Sequence, residues 1–176
     1  MKYVVLLRKV NVGTENRIDK NSLESAFINL GYSNVQIYIN SGNVIFSTTK
    51  SKAKISEEID TSLFELFKAR IQFLVKTSSD MKKIGEAIPK QWQNDTNEKT
   101  DIAYLFSDID NPEIVNELPF KKEYVKVIYI KGALIMNVPR EYQNKSQYSK
   151  IVGSKIYKSM TLRNANTARY LADMND

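Results

Sequence analysis

The order of strand-like and helix-like stretches in the first half of the chain restricts the fold more than any other feature. Apolar or alternating runs predict strands, and apolar residues at helical spacing predict helices. In chain order, the predicted elements are a strand at 2–10, a helix at 22–30, strands at 34–39 and 43–47, a helix at 52–69 and a strand at 71–76. This β-α-β-β-α-β order is that of the ferredoxin-like arrangement, with the first and third strands central and the second at an edge.

The second half has a similar order of elements without detectable sequence similarity to the first. Its predicted elements are a short helix at 80–87, a polar loop at 89–99, a strand at 101–106, a helix at 112–118, strands at 124–130 and 133–138 joined by a tight turn, and helices at 146–158 and 163–172. The last helix stands where a fourth strand would complete the repeat. We expect an α+β fold of two ferredoxin-like β-α-β-β-α repeats with antiparallel sheets and a C-terminal helical segment. The 176 residues suit a single compact unit with pseudo-repeat halves at about 1–77 and 78–176.

The absence of two residue types from the sequence excludes several kinds of site. The chain has no cysteine, which excludes disulfides, thiolate nucleophiles and the usual structural zinc sites. It has no histidine, which removes the usual general base at neutral pH and the commonest metal ligand. We expect no metal site and no cofactor. An enzyme of this composition would have to use Asp, Lys or Tyr.

The net charge of +6 and the isoelectric point near 9.3 bear on possible partners. A lysine-rich solvated surface is the simpler explanation, and attraction to nucleotides or nucleic acid is the alternative. The N-terminal run VVLL is too short to span a bilayer and is followed by basic residues, so it predicts a buried first strand. We expect a cytoplasmic protein with no membrane partner, and a monomer or weak homodimer.

The loop after the first strand is a candidate anion site. It contains Asn11, Gly13 and Asn16 and lies between a strand and a helix, where phosphate is often bound. The basic residues beside it are Arg8, Lys9 and Arg17. One glycine cannot form a dinucleotide-binding or Walker-type loop, because both need several glycines at fixed spacing. The sequence therefore predicts a polar or anion-binding loop of another kind.

The basic C-terminal region contains a second candidate. We expect Thr161 to cap the last helix, whose first backbone N–H groups would bind an anion together with Arg163. The alternative is structural, with Asn164, Asn166 and Thr167 holding the last helix against the sheet by hydrogen bonds. The sequence does not decide between these two hypotheses.

Three other motifs have simpler explanations than a functional one. The Ser-x-x-Lys pairs at 51–54 and 79–82 are expected by chance in a lysine-rich chain, so we reject a serine–lysine hydrolase. The acidic stretch 108–111 lacks the glycine and glutamate of a calcium loop, and capping of a helix before Pro112 explains it better. An RNA-recognition sheet would need exposed aromatic residues on its central strands, whereas Tyr3 and Phe46 are predicted to be core.

The stretch YINSGNVIF at 38–46 predicts a tight hairpin. Ser41 and Gly42 would form a two-residue turn in which Gly42 takes a positive φ. Asn40 and Asn43 would flank the turn and satisfy its backbone groups. A structural role therefore explains most of this stretch, and its polar residues remain candidates for ligand binding.

Three stretches resemble a known family. They are YVVLLRKVNVGT at 3–14, LGYSNVQIYINSGNVIF at 30–46 and TLRNANTARYL at 161–171. On these residues the chain resembles the bacterial family called domain of unknown function 1697, whose members open with a strand like YxALLRGINVGG and end with TTRNWNTVxKL. The resemblance implies an α+β fold of two ferredoxin-like repeats and no established activity. Thr14 and Ala165 depart from the family pattern, which has a glycine and a tryptophan there.

Together these features lead to one functional hypothesis and two alternatives. The hypothesis is a small protein that binds an anionic ligand, a nucleotide or nucleic acid, at a site shared by the first loop and the C-terminal stretch. The alternatives are an enzyme that uses Asp, Lys or Tyr, and a protein-interaction module. The candidate ligand-binding residues are Arg8, Asn11, Gly13, Asn16, Arg17, Asn40, Ser41, Asn43, Thr161, Arg163, Asn164 and Thr167.

Overall fold

Two compact units form the part of the chain that the computed structural model describes, which is residues 1–11, 17–39 and 42–174. The first unit is Met1–Asp80 and the second is Met81–Met174. Each unit contains a four-stranded sheet in which all neighbouring strands are antiparallel. The predicted fold class, α+β with a pair of ferredoxin-like units, is confirmed.

The elements of the first unit follow the predicted order. They are β1 (Lys2–Leu7), α1 (Lys20–Asn29), β2 (Ser33–Tyr38), β3 (Asn43–Ser47), α2 (Lys52–Phe67) and β4 (Phe73–Thr77). The strand order in the sheet is β2-β3-β1-β4, so β1 and β3 are central and β2 is at an edge, as predicted. The short loop between β2 and β3 therefore lies at the same end of the sheet as the exit from β1, since antiparallel neighbours alternate in direction.

The core of the first unit lies between one face of its sheet and the two helices. Its fully buried members come from alternate strand positions and from one face of each helix: Val5, Leu7, Val44, Phe46, Leu23, Phe27, Ile55, Ile59 and Leu63. The Phe46 ring stacks on Tyr32 and on Tyr3, with centroids 4.4 and 5.9 Å apart. Tyr3 and Phe46 are therefore core residues, as predicted, and neither ring is exposed for stacking with a nucleic-acid base.

The loop between β2 and β3 is longer than predicted. Tyr38 pairs with Asn43, so four residues connect the strands instead of two. The N–H group of Gly42 donates to the carbonyl of Ile39 at 3.2 Å and closes the turn. The side-chain amide of Asn43 donates to the Tyr38 carbonyl at 2.9 Å, which gives Asn43 the structural role expected of it. The two central positions of the loop, Asn40 and Ser41, lie outside the described residues.

The second unit repeats the sheet topology of the first. Its elements, with the helix that precedes it, are α3 (Ser78–Glu86), β5 (Glu98–Leu105), β6 (Lys126–Ile130), β7 (Ala133–Pro139), α4 (Lys150–Gly153), β8 (Met160–Asn164) and α5 (Ala165–Ala172). Three 3₁₀ helices, at Pro112–Glu117, Arg140–Tyr142 and Lys155–Ser159, occupy parts of the connections. The strand order β6-β7-β5-β8 corresponds to β2-β3-β1-β4 of the first unit.

The second unit also has a fourth strand, where the sequence predicted only a helix. Residues Met160–Asn164 form β8, which pairs with β5 so that Thr161 lies opposite Tyr104. Met160 and Leu162 point into the apolar core of this unit, and Thr161 between them points to the other face. Five residues with two apolar positions are too few to distinguish a strand from a helix start, and pairing with β5 decides the conformation.

The predicted helix at 146–158 is interrupted. α4 has only four residues, and Ser154 follows in an extended conformation with φ −78° and ψ 158° before the 3₁₀ helix Lys155–Ser159 begins. The Ser154 hydroxyl donates to the carbonyl of Ile151 at 2.7 Å. This side-chain hydrogen bond satisfies a carbonyl of the last turn of α4, where the helix ends. The apolar spacing of this stretch is helical, but the local hydrogen bonds break the helix in two.

The acidic stretch 108–111 does not cap a helix through its aspartates. Asn111 is the N-cap of the 3₁₀ helix at Pro112, and its side chain makes no capping hydrogen bond. Asp110 instead accepts hydrogen bonds from Gly132 N–H at 2.8 Å and Tyr129 hydroxyl at 3.0 Å, and its carboxylate pairs with Lys131 at 3.2 Å. Asp110 therefore holds the two-residue β6–β7 turn, where Gly132 has the positive φ of 90° that a side chain would disfavour.

The length and hydropathy of the helices test whether any of them could span a membrane. Within the three described ranges, no helix is both long enough and apolar enough to cross a bilayer.

Candidate functional site

The exit from β1, the β2–β3 loop and the entry to β4 meet at one end of the first sheet. Leu7 N–H donates to the Gly42 carbonyl at 2.9 Å, and Arg8 N–H donates to the Gln72 carbonyl at 2.9 Å. The strand register places Leu6 opposite Asn43. The structure therefore brings the described start of the first family-like stretch, at residues 6–8, beside residues 42 and 43 of the second.

Arg8 begins the loop that follows β1. The residue is 9% exposed, and its Nη1 donates to the side-chain oxygen of Gln72 at 3.2 Å. This hydrogen bond to the side chain of Gln72 orients the guanidinium. A positively charged group is thus held at the end of the sheet by the segment that enters β4.

The Asn11 side chain joins the two ends of the first loop. Its Oδ1 accepts from the backbone N–H of Ile18 at 2.8 Å, and its Nδ2 donates to the Ile18 carbonyl at 2.9 Å. Asn11 also has a positive φ of 54°, a conformation that asparagine tolerates better than most residues. The Asn11 side chain therefore holds residues 11 and 18 together. This is a structural role, whereas the sequence predicted a ligand contact for Asn11.

A cavity in the first unit opens beside the hydrogen-bonded pair Asn11 and Ile18. Its volume is about 530 Å³, and its described lining residues are Asn11, Arg17, Ile18 and Asp19. Arg17 is exposed, whereas Asp19 is the N-cap of α1 and accepts from Ser22 N–H at 2.9 Å. The Ser22 hydroxyl and backbone N–H lower the pKa of Asp19, so its carboxylate stays ionised and committed to the helix end. The cavity thus has one cation and one anion among these residues.

Four of the predicted site residues lie outside the described residues: Gly13, Asn16, Asn40 and Ser41.

The predicted residues of the C-terminal stretch lie in the second unit, and their roles differ from those predicted. Thr161 is the second residue of β8 and does not cap α5. Asn164 is the N-cap, because its side chain accepts from Thr167 N–H at 2.9 Å. Asn166 donates to the Asn94 carbonyl at 3.3 Å. Asn164 and Asn166 therefore both hold the start of α5 in place, although Asn166 bonds to the loop before β5 and not to the sheet as the structural alternative expected.

Arg163 has an enclosed guanidinium group although the residue as a whole is partly exposed. Its Nη1 donates to the Thr161 hydroxyl at 2.9 Å and to the Leu162 carbonyl at 2.7 Å. Enclosure of the guanidinium lowers the pKa of Arg163 to about 10, which still leaves it charged at neutral pH. A cation in these surroundings is costly, so its hydrogen bonds matter for keeping it there.

Tyr104 is a polar residue that sequence reasoning missed. It lies on β5 opposite Thr161 and is fully buried, and its hydroxyl has no hydrogen-bond partner among the residues that the structure describes. Burial raises the pKa of Tyr104, so the hydroxyl is protonated at neutral pH. In the sequence, Tyr104 stands in the apolar run IAYLF, and that run predicts only a buried strand.

Comparison with known proteins relates this chain to one protein family and to one similar solved structure. The family model described as "Protein of unknown function (DUF1697)" matches residues 1–135. The chain belongs to this family. A search of curated proteins finds no match. A solved structure described as conserved bacterial protein SP0830 from Streptococcus pneumoniae is similar, with 24% identity, a TM-score of 0.83, and coverage of 97% of this chain and 96% of that one.

Membership of the DUF1697 family supports the fold and leaves the activity open. The structural neighbour is 24% identical, which supports a shared fold and nothing finer. The C-terminal stretch at 161–171 lies beyond the residues that the DUF1697 model matches. Of the two departures from the family pattern, Thr14 lies outside the described residues, and Ala165 is fully buried as the first residue of α5.

Five acidic residues have a pKa below the ordinary value. Hydrogen bonds to the carboxylates lower the pKa of five acidic residues, although burial acts in the opposite direction. These residues are Asp19, Glu58, Asp80, Asp95 and Asp110. A general acid at neutral pH needs a raised carboxyl pKa, and a lowered pKa makes a carboxylate a weaker base. The enzyme alternative therefore gains no support from these five groups.

A buried cluster of Lys, Asp and Tyr in the second unit also has a structural explanation. The Asp101 carboxylate accepts from the Tyr148 hydroxyl at 3.1 Å and pairs with Lys99 at 3.0 Å. The Tyr148 ring stacks on Phe120 with centroids 5.5 Å apart, which fixes it in the core. Burial, followed by the charge of Asp101, raises the pKa of Tyr148 well above its ordinary value. The cluster thus joins β5 to the segment before α4.

Proposed function

We propose that this protein binds an anionic ligand, a nucleotide or nucleic acid, at the end of the first sheet where β1 ends and β2 meets β3. The site would use Arg8 and Arg17 as cations, with Asn11 holding the loop that carries them and Asn43 holding the adjacent β2–β3 hairpin. Gly13, Asn16, Asn40 and Ser41 would contribute from the loop segments between these residues.

The observation that carries this proposal is the cavity of about 530 Å³ lined by Asn11, Arg17, Ile18 and Asp19. Its volume is within the range of small-ligand pockets. Arg8 lies at the start of the same loop with its guanidinium held by Gln72. An arginine suits a phosphate because its planar group donates two parallel hydrogen bonds to phosphate oxygens.

The C-terminal stretch enters the proposal as a second contributor. Asn164 is occupied in capping α5 through Thr167 N–H, so its side chain has little capacity for a ligand. Arg163, hydrogen-bonded to Thr161, is then the residue of this stretch best suited to an anion. Arg163 is therefore the residue of the second unit to test for a contribution to anion binding.

A thermal-shift screen with purified protein tests the proposal. The ligands are nucleoside mono- and triphosphates, sugar phosphates and short oligonucleotides, each compared with its uncharged nucleoside or sugar. At a ligand concentration of about 100 times Kd, binding adds roughly 2.7 kcal/mol, or about 5–10 °C in Tm for a chain of this size. We expect at least one anion to raise Tm and no uncharged compound to do so.

Two matched variants localise the effect. Arg17→Gln removes an exposed cation from the cavity lining, whereas Lys52→Gln removes one at the start of α2, beyond the opposite end of the sheet. We expect the ligand-induced shift to fall in R17Q and to stay unchanged in K52Q. Absence of any anion-specific shift, or an equal loss in both variants, would refute the proposal. R163Q, compared with and without ligand, tests the contribution of Arg163, because a shift that survives R163Q excludes that residue from binding.

A further inference from the structure

Two tyrosines and a lysine form a surface cluster in the second unit. The rings of Tyr124 and Tyr142 are 5.4 Å apart at centroids with an interplanar angle of 36°. The Lys145 ammonium lies 4.9 Å from the Tyr124 ring centre and 6.0 Å from that of Tyr142. Tyr142 is 37% exposed, so one of the largest side chains of this unit remains in contact with water.

Backbone hydrogen bonds fix the two segments that carry this cluster. Lys121 N–H donates to the Ser146 carbonyl at 2.8 Å, and Ser146 N–H donates to the Tyr142 carbonyl at 2.7 Å. Ser146 is fully buried and its hydroxyl donates to the Gln143 carbonyl at 2.9 Å. The side chains are therefore presented from a rigid backbone, which lowers the entropy cost of binding a partner.

The surroundings of the cluster are basic. Residues 121–126 and 140–150 carry six Lys or Arg side chains against two glutamates, Glu123 and Glu141. Lys121 and Lys122 are exposed and immediately precede the segment of Tyr124. We name Lys121, Lys122, Tyr124, Tyr142 and Lys145 the tyrosine–lysine patch. The two segments together carry four more positive than negative charges, and the patch itself carries three positive charges and no negative one.

We propose that the tyrosine–lysine patch is a binding surface for single-stranded nucleic acid. A base stacks on the exposed ring of Tyr142, and Lys121, Lys122 and Lys145 contact the phosphates on either side. Aromatic faces with interleaved lysines are the combination that single strands require, because every base has a flat face and every nucleotide has a phosphate. Duplex nucleic acid offers its phosphates but not its base faces, so it binds this patch more weakly.

The contact between Lys145 and the tyrosines also has a purely structural explanation. A lysine over two rings joins the segment 140–146 to the turn at 121–124, and this contact stabilises the surface. That explanation accounts for Tyr124, which is partly buried. It does not account for the exposure of Tyr142 or for the neighbouring pair of lysines, and these three residues therefore make the discriminating test.

Fluorescence anisotropy with a labelled 12-mer of deoxythymidine measures binding to the full chain. Tyr142→Ala removes the stacking face, and we expect binding about tenfold weaker or worse. The control is Tyr170→Ala, which removes a tyrosine of similar exposure, 38%, on α5. Lys121→Gln with Lys122→Gln should reduce the slope of log Kd against log salt by about 1.4, since each phosphate contact to a single strand contributes about 0.7. Lys82→Gln with Lys83→Gln, on α3, is the matched charge control.

Several outcomes would overturn the inference. They are equal effects of Y142A and Y170A, an unchanged salt slope in the Lys121 and Lys122 variant, equal affinity for the duplex, or binding to anionic vesicles but not to the oligonucleotide. The patch and the cavity lined by Arg17 are tested by separate variants. Binding lost in R17Q and retained in Y142A would support the proposed function and overturn the role of the patch. Circular dichroism spectra establish that each variant is folded.

Discussion

A methyl group added at Gly85 would collide with the last turn of α5. An ideal Cβ at Gly85 would stand 2.2 Å from the Cβ of Ala172 and 3.7 Å from its Cα, whereas carbon atoms in contact are normally about 3.5–4.0 Å apart. Both Cβ atoms are attached directly to helical backbone, so no side-chain rotation relieves the overlap. α3 and α5 would have to separate by more than 1 Å, roughly the deficit in that distance.

The net effect on stability is the difference between two terms. Alanine in place of glycine inside a helix raises the free energy of unfolding by about 1 kcal/mol through its higher helix propensity. Overpacking costs about 1–3 kcal/mol, and a collision between two backbone-fixed atoms belongs at the upper end. We therefore expect Gly85→Ala to reduce the free energy of unfolding of the second unit by about 2 kcal/mol.

Urea unfolding monitored by tryptophan fluorescence measures this effect. The chain has one tryptophan, Trp92, which is buried in the second unit and accepts a hydrogen bond through its carbonyl from Arg169 of α5 at 2.8 Å. Its emission therefore reports on the unit that contains the substitution. Gly153→Ala is the matched control, because a Cβ at Gly153 meets nothing within 4 Å and should be neutral or stabilising by up to about 1 kcal/mol.

A double-mutant cycle separates the collision from other causes. Ala172→Gly removes the atom that collides and by itself costs up to about 1 kcal/mol as a glycine in a helix. In that background, Gly85→Ala should no longer destabilise, which gives a coupling energy of about 2 kcal/mol or more. A neutral or stabilising G85A in the wild-type background would refute the reasoning, and so would a G85A effect that A172G leaves unchanged.

Two further predictions concern polar side chains of the second unit. Tyr104→Phe should raise the free energy of unfolding by about 1–3 kcal/mol, because it removes a buried hydroxyl that has no hydrogen-bond partner among the described residues; urea unfolding measures it, and a destabilised Y104F would show that the hydroxyl has a partner in solution. The pKa of Asp110 is lowered because hydrogen bonds from Gly132 N–H and from the side chains of Lys131 and Tyr129 outweigh the effect of burial, which raises it. The stabilisation from this carboxylate is present above its ordinary pKa of 3.8 and is lost as the pH falls through the lower pKa of the folded state. Unfolding of Asp110→Asn should therefore depend less on pH below about 4 than unfolding of the wild type, and parallel pH profiles would contradict this assignment.

The first unit was more predictable than the second because its elements are long and regularly patterned. Helix α2 has Ile55, Ile59 and Leu63 on one buried face, and its spacing alone predicts a helix from Lys52 onward. The stretch 160–164 has no such length, and its strand conformation depends on hydrogen bonds to β5, a partner more than fifty positions earlier. The predicted helix at 146–158 failed for a local reason, since Ser154 adopts an extended conformation within a helical apolar pattern.

The candidate site was predictable in its residue types and not in their roles. Asn11, Asn43 and Asn164 all occur in stretches that suggested ligand contacts, and each uses its side chain to fix a loop, a hairpin or a helix end. An asparagine that binds a ligand and one that binds its own backbone look the same in a sequence. The lack of a partner for the Tyr104 hydroxyl among the described residues could not be predicted, because a buried tyrosine usually finds a hydrogen-bond partner and the sequence does not show when it fails to.

The sequence by itself determined the fold class, the order of elements in the first unit, the central place of β1 and β3, and the family. These depend on periodic burial along one segment, which is a local property and is written in consecutive residues. Only the tertiary structure decided that β8 exists, that Arg8 meets Gln72, and that Tyr124, Tyr142 and Lys145 form one surface. Those features arise from contacts between segments distant in the chain, whose energies no single segment contains.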